Sequence, residues 1–208
     1  MYPPAIKKLI AHFSEFPTIG PRTAARFVFY LLKTSDEEVK KLAESLLQMK
    51  ERVKLCSFCF NPFEPFDAAQ DKPSKHQEWL CEICRNPGRE KRVICVVEKE
   101  SDLAALENTK QYKGRYFILG GTVQKLKQED LEMLRTKELA ERVKGPEIIE
   151  IILATNSTPE GENTALYVER KLEGLGKKIT RLGRGLPIGG ELEYADPETL
   201  KSSLDNRK

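Results

Sequence analysis

No stretch of the 208 residues approaches the ~18 consecutive apolar residues of a membrane span. Apolar runs such as Val93–Val97 and Ile151–Ala154 are far shorter, so no membrane association is expected. The start, Met1-Tyr2-Pro3-Pro4, lacks the pattern of a secretory leader. The chain is therefore expected to stay in the cytoplasm, where thiols are kept reduced. Five cysteines is an odd number, which fits poorly with a closed disulfide framework. Nor is there an excess of charge of one sign: 35 Lys plus Arg stand against 32 Asp plus Glu, a net +3. That excludes a histone-like basic tail protein but leaves room for a local basic patch that binds nucleic acid. No internal repeat occurs. With 32% charged and 39% hydrophobic residues, the composition is that of a soluble globular protein of one or two domains.

The patterning divides the chain into four regions. Ile6, Leu9, Ile10 and Phe13 recur at helical spacing, and Pro17-Thr18-Ile19-Gly20-Pro21 breaks the pattern. A second helix is predicted with Ala24, Phe27, Val28 and Leu31 on one face and Pro21 at its first position. Ser35 and Glu38 form a capping-box pattern for a third helix, which carries Val39, Leu42, Ala43, Leu46 and Val53. The stretch from Leu55 to Glu90 holds four cysteines and Pro62, Pro65, Pro73 and Pro87 but little apolar periodicity, so something other than a core must hold it. Strands are then predicted at Val93–Val97, Tyr116–Leu119, Ile148–Ala154 and Ile179–Leu182. Helices lie between them from about Asp102, over about Gln128–Lys144, and over about Asn163–Leu175. This alternation implies a mainly parallel sheet covered by helices. The tail carries Gly183, Gly185, Gly189 and Gly190, then Asp196-Pro197 as the cap and first residue of a last helix through Leu200 and Leu204.

Cys56-Ser57-Phe58-Cys59 and Cys81-Glu82-Ile83-Cys84 are two Cys-x-x-Cys knuckles with 21 residues between them. Two such turns supply four thiolates, the closed tetrahedral shell of a structural zinc ion, with no open position for a reacting water. A redox pair or free buried thiols are the alternatives, but a redox motif opens a helix in a βαβ unit and neither knuckle does so. His76, between the knuckles, is either a substitute ligand or a solvated loop histidine. Cys95, inside the first long strand, reads as a small buried apolar residue. His12 receives no role.

Between the first two helices, Gly20 permits close approach of a partner, and the next helix presents free N–H groups at its start, an arrangement suited to phosphate. Arg22 and Arg26 are one turn apart, with Lys7, Lys8 and Lys33 nearby. The plainer alternative is an ordinary helix–turn–helix corner with solvated charges.

This segment resembles a helix-hairpin-helix motif, which grips DNA backbone without reading bases; the motif usually has glycine where Thr18 stands. Taken whole, the chain resembles the bacterial RecR family of recombination mediators. The resemblance rests on Ile19-Gly20-Pro21-Arg22-Thr23-Ala24, the Cys56/Cys59/Cys81/Cys84 quartet, Ile94-Cys95-Val96-Val97-Glu98 and Lys113-Gly114-Arg115-Tyr116. It continues in Ile152-Leu153-Ala154-Thr155-Asn156 with Glu160-Gly161-Glu162, and in Leu186-Pro187-Ile188-Gly189-Gly190-Glu191-Leu192-Glu193-Tyr194. It implies an α+β multi-module chain. Its parts would be a helix-hairpin-helix DNA-binding region over 1–54, a four-cysteine zinc finger over 55–90, an α/β Toprim domain with a mainly parallel sheet over 91–187, and a Walker B-like segment with the last helix over 188–208. It also implies action with RecO and RecF in loading RecA onto single-stranded DNA, independently of RecBC, and dimeric or tetrameric rings that encircle DNA. The segment between the knuckles is longer than the family's, around Pro62–Gln77, and Arg184 stands where histidine is common. No Gly-x-x-x-x-Gly-Lys-Ser/Thr loop is present.

Catalytic Toprim enzymes resemble one another in a glutamate after the first strand and an Asp-x-Asp after the third, which together hold Mg²⁺. Here Glu98 ends the first strand and Asp102 follows, but the third strand ends Ala154-Thr155-Asn156, and Glu160 and Glu162 come only after Pro159. A strong Mg²⁺ site is therefore not expected, and a non-enzymatic clamp is favoured over a Mg²⁺-dependent nuclease or primase. Glu98, Asp102, Glu160 and Glu162 are left as solvated loop charges, as an acidic edge that docks a basic partner such as RecF or RecO, or as a weak metal site.

Overall fold

The computed structural model describes residues 2–65, 79–123 and 128–207. His76 and most of the long segment between the knuckles lie outside the described residues. The chain forms two compact units, Met1–Val53 and Lys54–Lys208.

In the first unit, helix α1 (Pro4–Ser14) packs on α2 (Pro21–Lys33), and α3 (Asp36–Arg52) follows. Ala24 and Val28, one turn apart on α2, are the buried residues of the hairpin, and Phe13 meets Phe16 and Phe27 edge-to-face with ring centroids 5.8 Å apart. Ser35 Oγ accepts the Glu38 N–H at 3.3 Å, so the expected α3 cap forms. Between α1 and α2, the Ile19 N–H donates to Phe16 O at 3.1 Å and Thr18 sits at φ 65°. Proline followed by a left-handed residue is the signature of a type II turn, which favours glycine at the second position. A β-branched residue there is strained by roughly 1–2 kcal/mol.

The second unit opens with a short antiparallel pair, β1 (Lys54–Leu55) with β2 (Pro62–Phe63), and a one-turn helix α4 (Glu82–Arg85). Then come β3 (Glu90–Val97), α5 (Glu100–Asn108), β4 (Gly114–Ile118), α6 (Gln128–Met133), α7 (Thr136–Val143), β5 (Glu150–Ala154), α8 (Pro159–Leu172) and β6 (Lys178–Arg181). The strands lie in the order β4-β3-β5-β6, and every neighbouring pair is parallel. Alternation along the strands divides the core. Ile94, Val96, Phe117, Ile151 and Leu153 face α7 and α8, whereas Cys95, Val97, Tyr116 and Ile118 face α5. Burial pushes the Cys95 thiol up to about 12, so it behaves as an apolar group. The tail ends in α9 (Pro197–Asp205), capped by Asp196, whose carboxylate accepts the Glu198 and Thr199 N–H groups.

Three local expectations change. The single helix expected over 128–144 is interrupted, because the Arg135 N–H donates to Leu119 O at 3.0 Å and draws the chain out of the helix. Helix α8 begins at Pro159, earlier than expected, because Thr158 caps it and accepts the Gly161 N–H at 3.2 Å. Helix α5 begins at Glu100, so Asp102 lies inside its first turn, where its carboxylate accepts the Lys99 N–H at 3.2 Å.

Two glycines are fixed by close approach. At Gly114 a Cβ would lie 2.2 Å from the Tyr112 hydroxyl and 2.8 Å from Val93 O. At Gly161 it would lie 2.1 Å from Asn156 O and 2.8 Å from Glu98 Oε1, so the start of α8 rests directly on the ends of β3 and β5. Gly161→Ala is expected to cost on the order of 2 kcal/mol in urea denaturation. Gly145→Ala, with nothing within 4 Å of the new methyl, serves as the control. Equal losses at the two positions would contradict this packing.

Candidate functional site

The four cysteines converge. Each knuckle closes with the same bond: the Phe60 N–H donates to Cys56 O at 3.0 Å, and the Arg85 N–H to Cys81 O at 2.9 Å. The knuckles are joined by the Ser57 N–H and hydroxyl, which donate to Trp79 O at 2.7 and 3.1 Å. All four Sγ atoms lie within 4.8 Å of one another and are buried. Cys59 Sγ lies 3.6 Å from Cys81 Sγ, far longer than a disulfide, and all four are free thiols. Hydrogen bonds from Cys59, Cys81 and Cys84 hold the Cys56 thiol low, whereas Cys84 is pushed up by Cys56, Cys59 and Cys81 and by burial. Four soft donors at tetrahedral separations fit a metal ion. Among the described residues it is the one group of three or more Cys, His, Asp or Glu side chains so placed.

The acidic residues do not form one surface. Glu98 is only 3% exposed. Its Oε1 accepts the Asn156 N–H at 2.8 Å and its Oε2 accepts the Asn156 side-chain amide. Asn156, at the end of β5, therefore occupies the carboxylate that a catalytic Toprim corner would offer to a metal. Glu162 is half-buried and paired with Arg181 at 3.0 Å and with Arg184. Asp102 is half-buried and serves the start of α5, and Glu160 is exposed on the first turn of α8. Sequence reasoning passed over Asn156, 58 residues from Glu98, and the Glu162 pairing with Arg184, 22 residues away. The one signal for either was Asn156 standing at a position where a carboxylate was sought.

At the hairpin, Gly20 is the N-cap of α2, with no side-chain cap and no acidic residue in the first turn. Because Pro21 occupies the first position, the Arg22 and Thr23 N–H groups are left as donors without intrahelical acceptors. A Cβ on Gly20 would meet nothing within 4 Å, so this backbone is open to an approaching group. Arg22, Arg26, Lys7 and Lys8 are exposed. Over residues 1–34 the charges are Lys7, Lys8, Arg22, Arg26 and Lys33 against Glu15 alone.

Comparison with known proteins agrees with this layout. A model for the RecR helix-hairpin-helix matches residues 6–50, a Toprim domain model matches 92–183, and a model for the RecR C-terminal region matches 185–208. The fold and its sites thus define a Toprim-domain protein with an N-terminal helix-hairpin-helix and a four-cysteine module. The chain is 41% identical over 208 residues to the Recombination protein RecR of Gloeobacter violaceus, covering 100% of this chain and 99% of that one. It is 42% identical over 206 residues to that of Roseiflexus castenholzii, covering 99% and 94%. The match to that of Desulfatibacillum aliphaticivorans is also 42% over 206 residues, covering 99% and 97%. The chain belongs to the RecR family.

Removing one ligand should strand three buried thiols. Cys81→Ser is expected to lower bound metal and soluble yield together, measured by elemental analysis of the purified fraction. A fully soluble, fully folded variant without metal would contradict the coupling of metal to folding.

Proposed function

We propose that the chain is a DNA-binding clamp and recombination mediator in DNA repair, acting with RecO and RecF to promote RecA loading on single-stranded DNA. The observation that carries this reading is the likeness, over the full length, to proteins named Recombination protein RecR. Contact with DNA falls to Gly20, Arg22, Arg26, Lys7 and Lys8. The open start of α2 and the uncompensated cations around it favour backbone phosphate over base edges. Binding is therefore sequence-independent and salt-sensitive.

Cys56, Cys59, Cys81 and Cys84 hold one structural zinc per chain. A four-thiolate shell suits this ion and leaves no ligand position for chemistry. The chain acts without catalysis. The absence of a carboxylate at Asn156 and the use of both Glu98 oxygens as acceptors for Asn156 support this over a Mg²⁺-dependent reading. Glu160 and Asp102 carry the acidic edge toward RecO or RecF, with Glu98 and Glu162 positioning the strand ends beneath it. Self-assembly into a dimeric or tetrameric ring is supported by uncovered apolar groups. Helix α3 buries none of its residues, Leu42, Leu46 and Leu47 are exposed, and Ile188 in the tail is fully exposed. The site of action is the cytoplasm, at the nucleoid. Among the described residues no helix is long and apolar enough to cross a membrane.

A gel-shift titration against salt tests the DNA contacts. Arg22→Ala and Arg26→Ala should each weaken binding to unrelated sequences by a similar factor and flatten the slope of log K against log salt by about 1. A strong preference for one sequence contradicts the hairpin clamp. A pull-down of RecO and RecF tests the acidic edge. Glu160→Ala should weaken capture of one of them while leaving DNA affinity unchanged; loss of DNA binding with capture intact would contradict a docking role.

A further inference from the structure

We propose that the metal-holding knuckles lock the open edge of the parallel sheet, so that loss of the metal loosens β4 and, through it, the corner that carries Glu98. The inference rests on the reading that the quartet holds a metal.

Among the described residues strand β4 is an edge strand, with β3 on one side and no strand on the other. Such an edge presents unpaired N–H and C=O groups that something must cover. Here the first knuckle covers them. The Ile118 N–H donates to Cys59 O at 3.0 Å, and the Ile118 carbonyl accepts from the Arg135 guanidinium at 3.1 Å. At the other end of the strand, the Gly114 carbonyl accepts from the Arg89 guanidinium at 3.4 Å; Arg89 follows the second knuckle and also pairs with Glu107.

Aromatic groups back these bonds. Phe60 meets Phe117 edge-to-face, with centroids 5.5 Å apart, and carries the Arg135 guanidinium 4.6 Å above its ring. Phe58 is faced by Arg115 at 4.8 Å and by Arg142 at 5.5 Å, and Arg142 also donates to Ser57 O. Cation–π contacts of this kind between partly desolvated groups hold one element against another.

The coupling passes through single residues. Cys59 supplies both a thiolate to the cluster and the carbonyl that receives the edge N–H, so the position of that carbonyl depends on what holds its sulfur. Beyond Ile118, the Leu119 N–H donates to Val97 O and the Gly120 N–H to Glu98 O, each at 2.9 Å. The ladder from the knuckle thus ends on the backbone of Glu98. With the metal gone, four buried thiols have no common partner, the knuckle turns lose their tether, and the edge bonds open with them. Arg135 is a positioning residue in this arrangement, since it touches the edge and the knuckle ring but no sulfur.

Peptide-resolved hydrogen exchange on the full chain tests the lock, with metal content measured on the same samples. Chelator treatment should speed exchange in the segment 114–120 by about tenfold or more, while 151–154 in the sheet interior changes by less than about twofold. Arg135→Ala should speed 114–120 with its metal retained, and so separates the edge bond from metal loss. Unchanged exchange at 114–120 in a sample shown to have lost its metal overturns the lock. Equal acceleration of 114–120 and 151–154 does so too, because it signals general unfolding. A purified chain that never carried metal overturns instead the reading on which the proposal rests.

Discussion

Four buried sulfurs within 4.8 Å of one another are the constraint on which the second unit depends. Among its described residues the segment around them offers two two-residue strands, one helical turn, and partly buried Phe58, Phe63, Leu80 and Ile83 packed against the thiols themselves. Such a segment does not cohere on apolar burial alone. A cation shared by four thiolates would supply the missing cohesion, and the knuckle presents Cys59 O and the Phe58 and Phe60 rings to the sheet. The module is therefore joined to the α/β fold through the Cys59–Ile118 backbone bond, the Arg89 and Arg142 side chains and the contacts of the Phe58 and Phe60 rings, rather than standing as an independent finger.

The second organising feature is the contact between the ends of β3 and β5. A buried carboxylate is tolerable only when donors satisfy it, and Asn156 brings two. Gly161 then lets α8 start against that pair without a side chain in the way. The corner that in catalytic relatives would gather carboxylates around a metal is here closed on itself by hydrogen bonds. Of the other acidic residues, Glu160 is exposed on the first turn of α8 and Asp102 serves the start of α5.

Much of this was legible in the sequence, because the signals are local. Two Cys-x-x-Cys turns declare a four-thiolate shell through spacing alone, and Ser35 and Asp196 announce helix starts through side-chain chemistry that acts within three residues. The alternation of short apolar runs with helical patterns gave the parallel sheet. What stayed hidden depends on partners distant in the chain. The break in the helix at Arg135 comes from Leu119 and Ile118, the latter 17 residues away, and the docking of Arg142 on Ser57 spans 85 residues. Glu98 looked like a loop charge because nothing near it in sequence reveals that Asn156 folds onto it. The start expected near Asn163 lies later than the one at Pro159, although a threonine followed by proline is a good helix start.

Both Glu98 oxygens are taken by Asn156, and the proposed role is therefore binding without turnover. The most direct measurement is incubation of labelled DNA with the pure protein and Mg²⁺. The expected result is bound but chemically unchanged DNA, with neither cleavage, relaxation nor primer synthesis. Product formation that disappears on Glu98→Ala would contradict it.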